Sequence, residues 1–396
     1  MDYVLFRSVE QKSMKKKLIR ITTVPISLKI LLTDQLKFMD SYFEVIGVSS
    51  EGKELKEVEE REGVKTISLN MSREITPFKD TVSLIKMIAL FLKEKPEIVH
   101  THTPKAGIVG MLAAWICRVP HRLHTVAGLP LMEAVGKKKK LLLFVEKLTY
   151  SCATRVYPNS KGLEKYILDN HLTKKQKLKV VGYGSSNGID TDYFKRDKGV
   201  IDKSITIKKE YNLEDKFVFS FVGRIVKDKG IDELLSVFDK LSKEFDNISL
   251  MLVGKFEESL DPISHLSKKI LINNKNIVNV GFQNDIRPYL AASDCFVLPT
   301  YREGFPNVVL QACSMELPCI VTNINGCNEI INHNINGLII KPKNKDELYL
   351  VMKRFLDDTA LAKRLSKNTR EEIVEKYDRK QFFQYLLEEY KEIIKV

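Results

Sequence analysis

"CFVLPTYREGFPNVVLQACSMELPCIVT" runs from Cys295 to Thr322 and holds a contradiction. Its first six residues read as an apolar strand, and Leu298, Val308 and Leu310 have the character of core residues. Between that strand and a helix-like run stands a carboxylate, Glu303, followed by Gly304. A charge at such a place is costly unless it meets a ligand. The C-terminal edge of a parallel strand, beside the N–H groups that open the next helix, is where open α/β sheets bind phosphorylated ligands. The stretch therefore predicts a strand, a ligand-bearing turn, a helix and a second strand at 319–322. Its ligand should be anionic and carry hydroxyls.

Outward from this unit the same alternation continues. Strands are expected at 217–222, 248–253, 277–280, 295–299, 319–322 and 337–340, with helices such as 231–245 and 285–292 between them. Residues 346–396 read as helices only. Towards the N terminus, apolar β-branched runs at 18–24, 43–48, 64–69, 98–102, 122–126 and 155–157 alternate with helices such as 78–95 and 106–118. Fully apolar strands alternating with helices imply parallel sheets covered on both faces. A stretch dense in Gly, Ser, Asn and Asp, "GYGSSNGIDTDYFKRDKG" at 182–199, separates the two series. The fold class is α/β, with two Rossmann-like, doubly wound parallel-sheet domains facing across a cleft. The first should span 15–185 and the second 186–377, with a C-terminal helix at about 378–396 packing back on the first.

A chain of 396 residues suits two such domains better than one. The net charge of +13 favours an anionic partner, a membrane surface, nucleic acid or phosphorylated substrate. The six cysteines lack CxxC spacing and read as reduced core residues rather than as disulfides or zinc ligands. Residues 1–13 are charged throughout and Met14 opens "MKKKLIRITTV" like a start just before the first strand, so no signal peptide is expected. No apolar run reaches the roughly 20 residues a spanning helix needs. A cytoplasmic location is expected.

The second series opens with "FSFVGRIVKDKGIDELL" at 219–235: a strand, a turn at Gly223, then Arg224 and Lys229 flanking a helix entry. Two cations there suit one pyrophosphate, and Arg can fork two oxygens. Joined to Glu303 and Gly304 in the same sheet, the turn gains weight as a phosphate site. Taken together, "GRIVKDKG" (223–230), "EGFPNVVLQA" (303–312), "INGCNEII" (324–331), "SNGIDTDYF" (186–194) and "HTHTPKAG" (100–107) resemble glycosyltransferase family 4 of the GT-B enzymes. The resemblance covers roughly residues 15–391. More narrowly, the chain resembles bacterial enzymes that build polyprenyl-diphosphate-linked surface polysaccharides, whether capsule, O-antigen or exopolysaccharide.

That resemblance implies a retaining transfer from a nucleotide sugar, a UDP-sugar first of all, to a lipid-linked saccharide. By the same resemblance Arg224 and Lys229 grip the donor diphosphate, Glu303 accepts hydrogen bonds from donor sugar hydroxyls, and the N–H groups of Asn307 and Val308 meet phosphate oxygens. Gly223, Gly304 and Phe305 complete the donor set. His102 corresponds to the family's histidine at a first-domain strand end, near the acceptor and the donor sugar, and Lys105 is a candidate for an acceptor phosphate. One position departs from the pattern. The family's second Glu, eight residues after the first, is Gln311 here, which offers a ribose one carbonyl oxygen and one NH₂ in place of two carboxylate oxygens. "DTD" at 190–192 has the spacing of a metal motif but lies in the interdomain signature, and reads as an Asx-rich turn. No metal and no cofactor are expected.

"GKKKKLLLFVEKL" at 136–148 places Leu141, Phe144, Val145 and Leu148 on one helical face, the ordinary pattern of core. Leu142 and Leu143 fall off that stripe beside four lysines, which suits a helix leaning on anionic lipid at the inner face of the cytoplasmic membrane. Two other readings compete. A nucleotide-sugar 2-epimerase shares the architecture and the donors, but its carboxylates lie elsewhere and it lacks the pairing of GR…KG with EGF. A basic nucleic-acid-binding protein fits the charge, yet no aromatic RNP strand, zinc finger or helix-turn-helix accompanies the scattered lysines, so no nucleic-acid partner is expected.

Overall fold

The computed structural model describes residues 15–72, 76–132, 134–258, 261–358 and 360–395; the expected leader at 1–13 lies outside the described residues. Two six-stranded parallel sheets form the frame. The first contains β1 (Lys17–Ile21), β2 (Glu44–Ser49), β3 (Lys65–Ser68), β4 (Ile98–Thr101), β5 (His121–Val126) and β6 (Arg155–Pro158), in the order β3-β2-β1-β4-β5-β6. Central β1 is buried from Leu18 onward because both neighbours flank it in register, Ile19 lying between Ile46 and Val99. It ends sooner than its apolar run suggests. Thr22 still donates to Val48 O (3.0 Å), but Pro25, which lacks an N–H and restricts the residue before it, opens a helix instead. Three helices of this half bear on function: α1 (Pro77–Glu94), α2 (Pro104–Ile116) and α3 (Gly136–Cys152).

The second sheet contains β7 (Phe217–Val222), β8 (Ile248–Val253), β9 (Ile277–Gly281), β10 (Cys295–Leu298), β11 (Cys319–Thr322) and β12 (Gly337–Ile340), in the order β12-β11-β10-β7-β8-β9. Its strands match their expected bounds to within a residue, since each is a mainly apolar run closed by Gly, Pro or a polar residue. Here α4 (Ile231–Leu241), α5 (Asn307–Ser314) and α6 (Arg379–Lys395) matter most. α4 stops four residues before the expected Phe245, whose N–H still donates to Leu241 O (2.9 Å) in the closing turn.

Contacts divide the chain into two compact units. One runs up to His124 and includes Val145–Arg155; the other holds Thr125–Phe144 and everything from Val156 on. Within the second, Tyr157 donates to Glu389 of α6 (3.0 Å), and Lys179 pairs with Glu392 (3.1 Å).

α3 corrects one expectation. Leu141 and Phe144 are exposed, at 44% and 64%, and Val145 and Leu148 are only half-buried, whereas Glu146, Thr149, Tyr150 and Cys152 are the residues that face inward. The helix is anchored by its C-terminal half, where Tyr150 packs near His124 with ring centroids 5.9 Å apart. The apolar stripe therefore does not mark the buried side. All six cysteines are free thiols, five of them buried.

Candidate functional site

In each sheet the chain winds outward in two directions from a central pair of strands, β1 and β4 in the first and β7 and β10 in the second. Carboxyl ends at such a switch point leave a crevice for ligands. The predicted residues lie at these two places.

At the second switch point, β7 leads to Lys229 and β10 to Glu303, and a close approach at Gly230 brings their turns together. Gly230 has φ +72° and a Cβ there would lie 2.1 Å from Pro299 O, so only glycine lets the β7 turn close on the end of β10. Gly304 leaves no more room, since a Cβ would come within 1.7 Å of Ala127 O. Hydrogen bonds then fasten the two turns. Asp228 O accepts from Tyr301 N–H (2.9 Å) and from Thr300 Oγ1 (3.2 Å), and Asp228 Oδ2 accepts from Arg302 Nη2 (3.1 Å). As a result Lys229 Nζ donates to Glu303 Oε1, both side chains largely buried at 18% and 15% exposure.

That ion pair borders a cavity of about 350 Å³ lined by Gly223, Lys229, Glu303, Phe305, Asn307, Val308 and Gln311, with Val222, Leu298 and Pro306 completing the wall. Seven of the predicted residues thus share one cavity. α5 opens at Asn307 after Pro306, which supplies no side-chain cap, so the positive end of the helix faces this space. Gln311 sits one turn further along. Arg224 is held elsewhere: its Nη1 pairs with Glu257 Oε2 at 2.7 Å, half-exposed and outside the cavity lining. Gly304 also stays out of the lining and serves the backbone approach to Ala127. A larger cavity of about 750 Å³, lined by Glu316, Lys363, Arg370 and Glu375 among others, holds none of the predicted residues.

The residues of "INGCNEII" (324–331) take their tasks from contacts that the linear pattern does not name. Asn325 Nδ2 donates to Glu303 O and to Gly304 O (3.3 Å), clamping the turn that carries the carboxylate. Glu329 accepts from the N–H groups of Lys161 (2.8 Å), Gly162 (3.0 Å) and Gly326 (3.3 Å). Such pairings join residues far apart in the chain. The motif was the signal for them, but spacing carries no partner.

At the first switch point, Thr23 after β1 and Thr103 after β4 share a 2.6 Å hydrogen bond, and Ala106 N–H donates to Thr23 Oγ1 (3.2 Å), which pins the start of α2. His102 precedes Thr103, donates its N–H to Ile21 O (3.0 Å) and is 3% exposed. Fully buried Arg20, whose Nη2 donates to Gln35 Oε1, donates from Nε to His102 Nε2 at 3.0 Å. An N–H donor there requires a lone pair on Nε2 and leaves the ring proton on Nδ1. Burial, and after it the charge of Arg20, push the His102 pKa well below the usual value, so the ring is neutral. Its Nδ1 has no hydrogen-bond partner among the described residues. Lys105, in the first turn of α2, is also buried and engaged, its Nζ on Asp80 Oδ2 at 2.5 Å.

Asp190 of the "DTD" stretch accepts from Tyr193 N–H three residues on (2.9 Å), while Asp192 pairs with Lys380 (2.7 Å). Among the described residues no three His, Cys, Asp or Glu side chains gather as a metal-ligand set.

Comparison with known proteins agrees along both halves. Residues 43–184 match a family model described as "Glycosyl transferase 4-like domain", and residues 202–372 one described as "Glycosyl transferases group 1". The capsular polysaccharide biosynthesis glycosyltransferase CapM of Staphylococcus aureus is 36% identical over 365 residues, 91% of this chain and 93% of that protein. UDP-Gal:alpha-D-GlcNAc-diphosphoundecaprenol alpha-1,3-galactosyltransferase of Escherichia coli is 32% identical over 309 residues, 77% of each chain. Among solved structures, Anabaena Alr3699/HepE in complex with UDP superposes with a TM-score of 0.79 over 96% of this chain and all of that one, at 18% identity. With two doubly wound parallel sheets, both family models matched, and a relative 36% identical over 91% of its length, the chain belongs to the GT-B glycosyltransferases of family 4.

Proposed function

We propose that the protein transfers a sugar, with retention of configuration, from a UDP-sugar to a saccharide carried on polyprenyl diphosphate, in the assembly of a surface polysaccharide. The observation that carries this reading is the Lys229–Glu303 pair bordering one cavity with the opening of α5. A nucleotide sugar offers each member a better partner. Its diphosphate would draw Lys229 and the N–H groups of Asn307 and Val308, and its sugar hydroxyls would donate to Glu303 in place of the lysine. Gln311, further along α5, would take the ribose.

The bond from the anomeric carbon to the diphosphate oxygen breaks with its electron pair on the departing nucleotide, whose growing charge Lys229 stabilises. The acceptor hydroxyl forms the new bond on the same face and passes its proton to the departing phosphate oxygen. His102 cannot take that proton while Arg20 occupies its Nε2 lone pair; it offers Nδ1–H to a sugar oxygen instead. Arg224 would join the diphosphate by leaving Glu257, and Lys105 would meet an acceptor phosphate by leaving Asp80. The reading uses no metal and no cofactor.

Support for the substrates comes from the relatives. The Escherichia coli protein is by name an α-galactosyltransferase that uses UDP-Gal, an α-linked donor, on a diphosphoundecaprenol acceptor, and the Anabaena structure holds UDP. A polyprenyl acceptor keeps its lipid in the bilayer, so the protein would work peripherally at the inner face of the cytoplasmic membrane. Among the described residues no helix is long and apolar enough to cross a membrane. Lysines 137–140 at the start of α3 are exposed and would meet anionic headgroups.

Radiolabelled UDP-sugars incubated with the protein and a membrane lipid extract should leave label in the lipid fraction with one sugar, and NMR of the product should show the donor's anomeric configuration. Thermal stabilisation by an oligonucleotide but not by UDP, with no lipid labelling, would overturn the reading in favour of a nucleic-acid binder. Scrambling at C2 of the sugar without transfer would favour an epimerase.

A further inference from the structure

α1 is packed on one side and bare on the other. Ser83, Met87 and Phe91 are buried, while Phe78, Val82, Ile85, Ala89 and Leu92 are exposed, Phe78 at 83% and Ile85 and Leu92 at 61% each. The spacing of these five residues, 4, 3, 4 and 3, gathers them within an arc of about 80° at 100° per residue. Lys79, Lys86 and Lys93 recur at seven-residue spacing along one flank. Both carboxylates of the helix turn inward, Asp80 to Lys105 (2.5 Å) and Glu94 to Lys17 (2.7 Å) and Lys65 (2.8 Å). The end of α2 lies against the middle of α1, with Cys117 Sγ 3.7 Å from Ile88 O, and brings exposed Trp115, Ile116 and Arg118 beside it.

A contiguous apolar strip on a water-soluble face marks a contact surface. Its charge says what covers it. A second copy meeting this face by a two-fold axis would bring two lysine-flanked patches of the same charge together, because the same patch serves both sides. An anionic bilayer complements both parts, headgroups taking the lysines and the acyl boundary taking the apolar strip and the indole. We propose that the outer face of α1, with Trp115 and Ile116, seats the protein in the interfacial layer of an anionic lipid bilayer, the helix lying in the membrane plane. Lys105 and Asp80 join the first turns of α2 and α1, so this seat holds the β4 end with His102 near the headgroups, where a lipid-borne diphosphate is found. The inference rests on the reading of a lipid-linked acceptor and adds the surface that meets the lipid.

Trp115 is the only tryptophan of the chain, so its fluorescence reports this surface without a label. With vesicles containing phosphatidylglycerol the full-length protein should co-sediment, its emission should shift to the blue, and brominated acyl chains should quench it; phosphatidylcholine vesicles should do none of these. Ile85→Asn with Leu92→Asn should weaken vesicle binding by about tenfold or more, as loss of buried apolar area requires. Replacing Lys79, Lys86 and Lys93 by Ser should remove most of the preference for the anionic lipid. Far-UV circular dichroism and the thermal shift produced by UDP should match the parent in both variants, which separates lost docking from lost fold.

Vesicle binding with Trp115 unmoved, abolished by Ser at lysines 137–140, would assign the seat to α3 and overturn the proposal. So would a dimer in sedimentation velocity that the Ile85→Asn, Leu92→Asn variant dissolves. Absence of vesicle binding while detergent-extracted lipid acceptor is still glycosylated would overturn the seat and leave the acceptor reading intact. Transfer to water-soluble saccharides alone, with no vesicle binding, would remove both.

Discussion

Lys229 and Arg224 leave the same turn with the same charge, yet they meet different partners. Lys229 borders the cavity and is largely buried, while Arg224 lies half in solvent on Glu257. Lys229→Ala should weaken UDP binding by about 1.5–3 kcal/mol, the range for charge-assisted hydrogen bonds. Arg224→Ala should weaken it less, because Arg224 must give up its half-exposed pair with Glu257 to reach the diphosphate. Calorimetric titration of UDP into both variants checks the contrast, and an unchanged affinity in Arg224→Ala would take Arg224 off the diphosphate. Gln311→Ala should cost about 1 kcal/mol, the worth of one ordinary hydrogen bond. Gln311→Glu should preserve or tighten UDP binding if the ribose diol is the partner, because a carboxylate accepts from both hydroxyls. A collapse of affinity in that variant would place a phosphate beside residue 311. These side chains were legible because type and spacing together announced them. Asn325 and Asp228 were not, since each acts by reaching across strands to a backbone group that no linear pattern names.

Strand β4, the position that follows it and strand β5 each carry a buried histidine, and burial lowers the pKa of each: His100 and His102 well below the usual value, His124 down to about 4. Lowered pKa values mean that between about 4 and 6.5 the unfolded chain binds protons which the folded chain refuses. Stability should therefore be full above pH 6.5 and fall as the pH drops through that window. His124 alone should cost about 2 kcal/mol at pH 5, and the other two act in the same direction. Urea unfolding at pH 7 and pH 5 measures it. Equal midpoints would show that the rings gain partners on protonation. A strand such as β10 could be read because, buried throughout, it is one unbroken apolar run. α3 shows where such reading fails: a stripe at helical spacing says that one face is apolar, but whether protein or something else covers it depends on neighbours brought in from elsewhere. α1 carries the same lesson more strongly, for an 18-residue helix that reads as ordinary sheet cover exposes its apolar strip.

For the whole molecule, a net charge of +13 over 396 residues sets how it should respond to salt. Affinity for anionic vesicles should fall steadily as salt shortens the Debye length from about 10 Å at 0.1 M to about 3 Å at 1 M. Binding that persists unchanged at 1 M salt would mean that apolar insertion alone holds the protein. Two sheets and their order of appearance were legible because the strand–helix alternation restarts after a polar break. How the loops at the second switch point interlock was not, because that depends on turn geometry at Gly230. The Lys229–Glu303 pair has a consequence for turnover on the proposed reaction. The cavity carries its own counter-ion, so a stray phosphate finds the lysine paired and brings nothing for the carboxylate, whereas a nucleotide sugar compensates both at once. After transfer the sugar is gone, the carboxylate is left without its hydroxyls, and its pull on Lys229 works against the spent nucleotide: the contact that screens what enters also helps to expel what has been used.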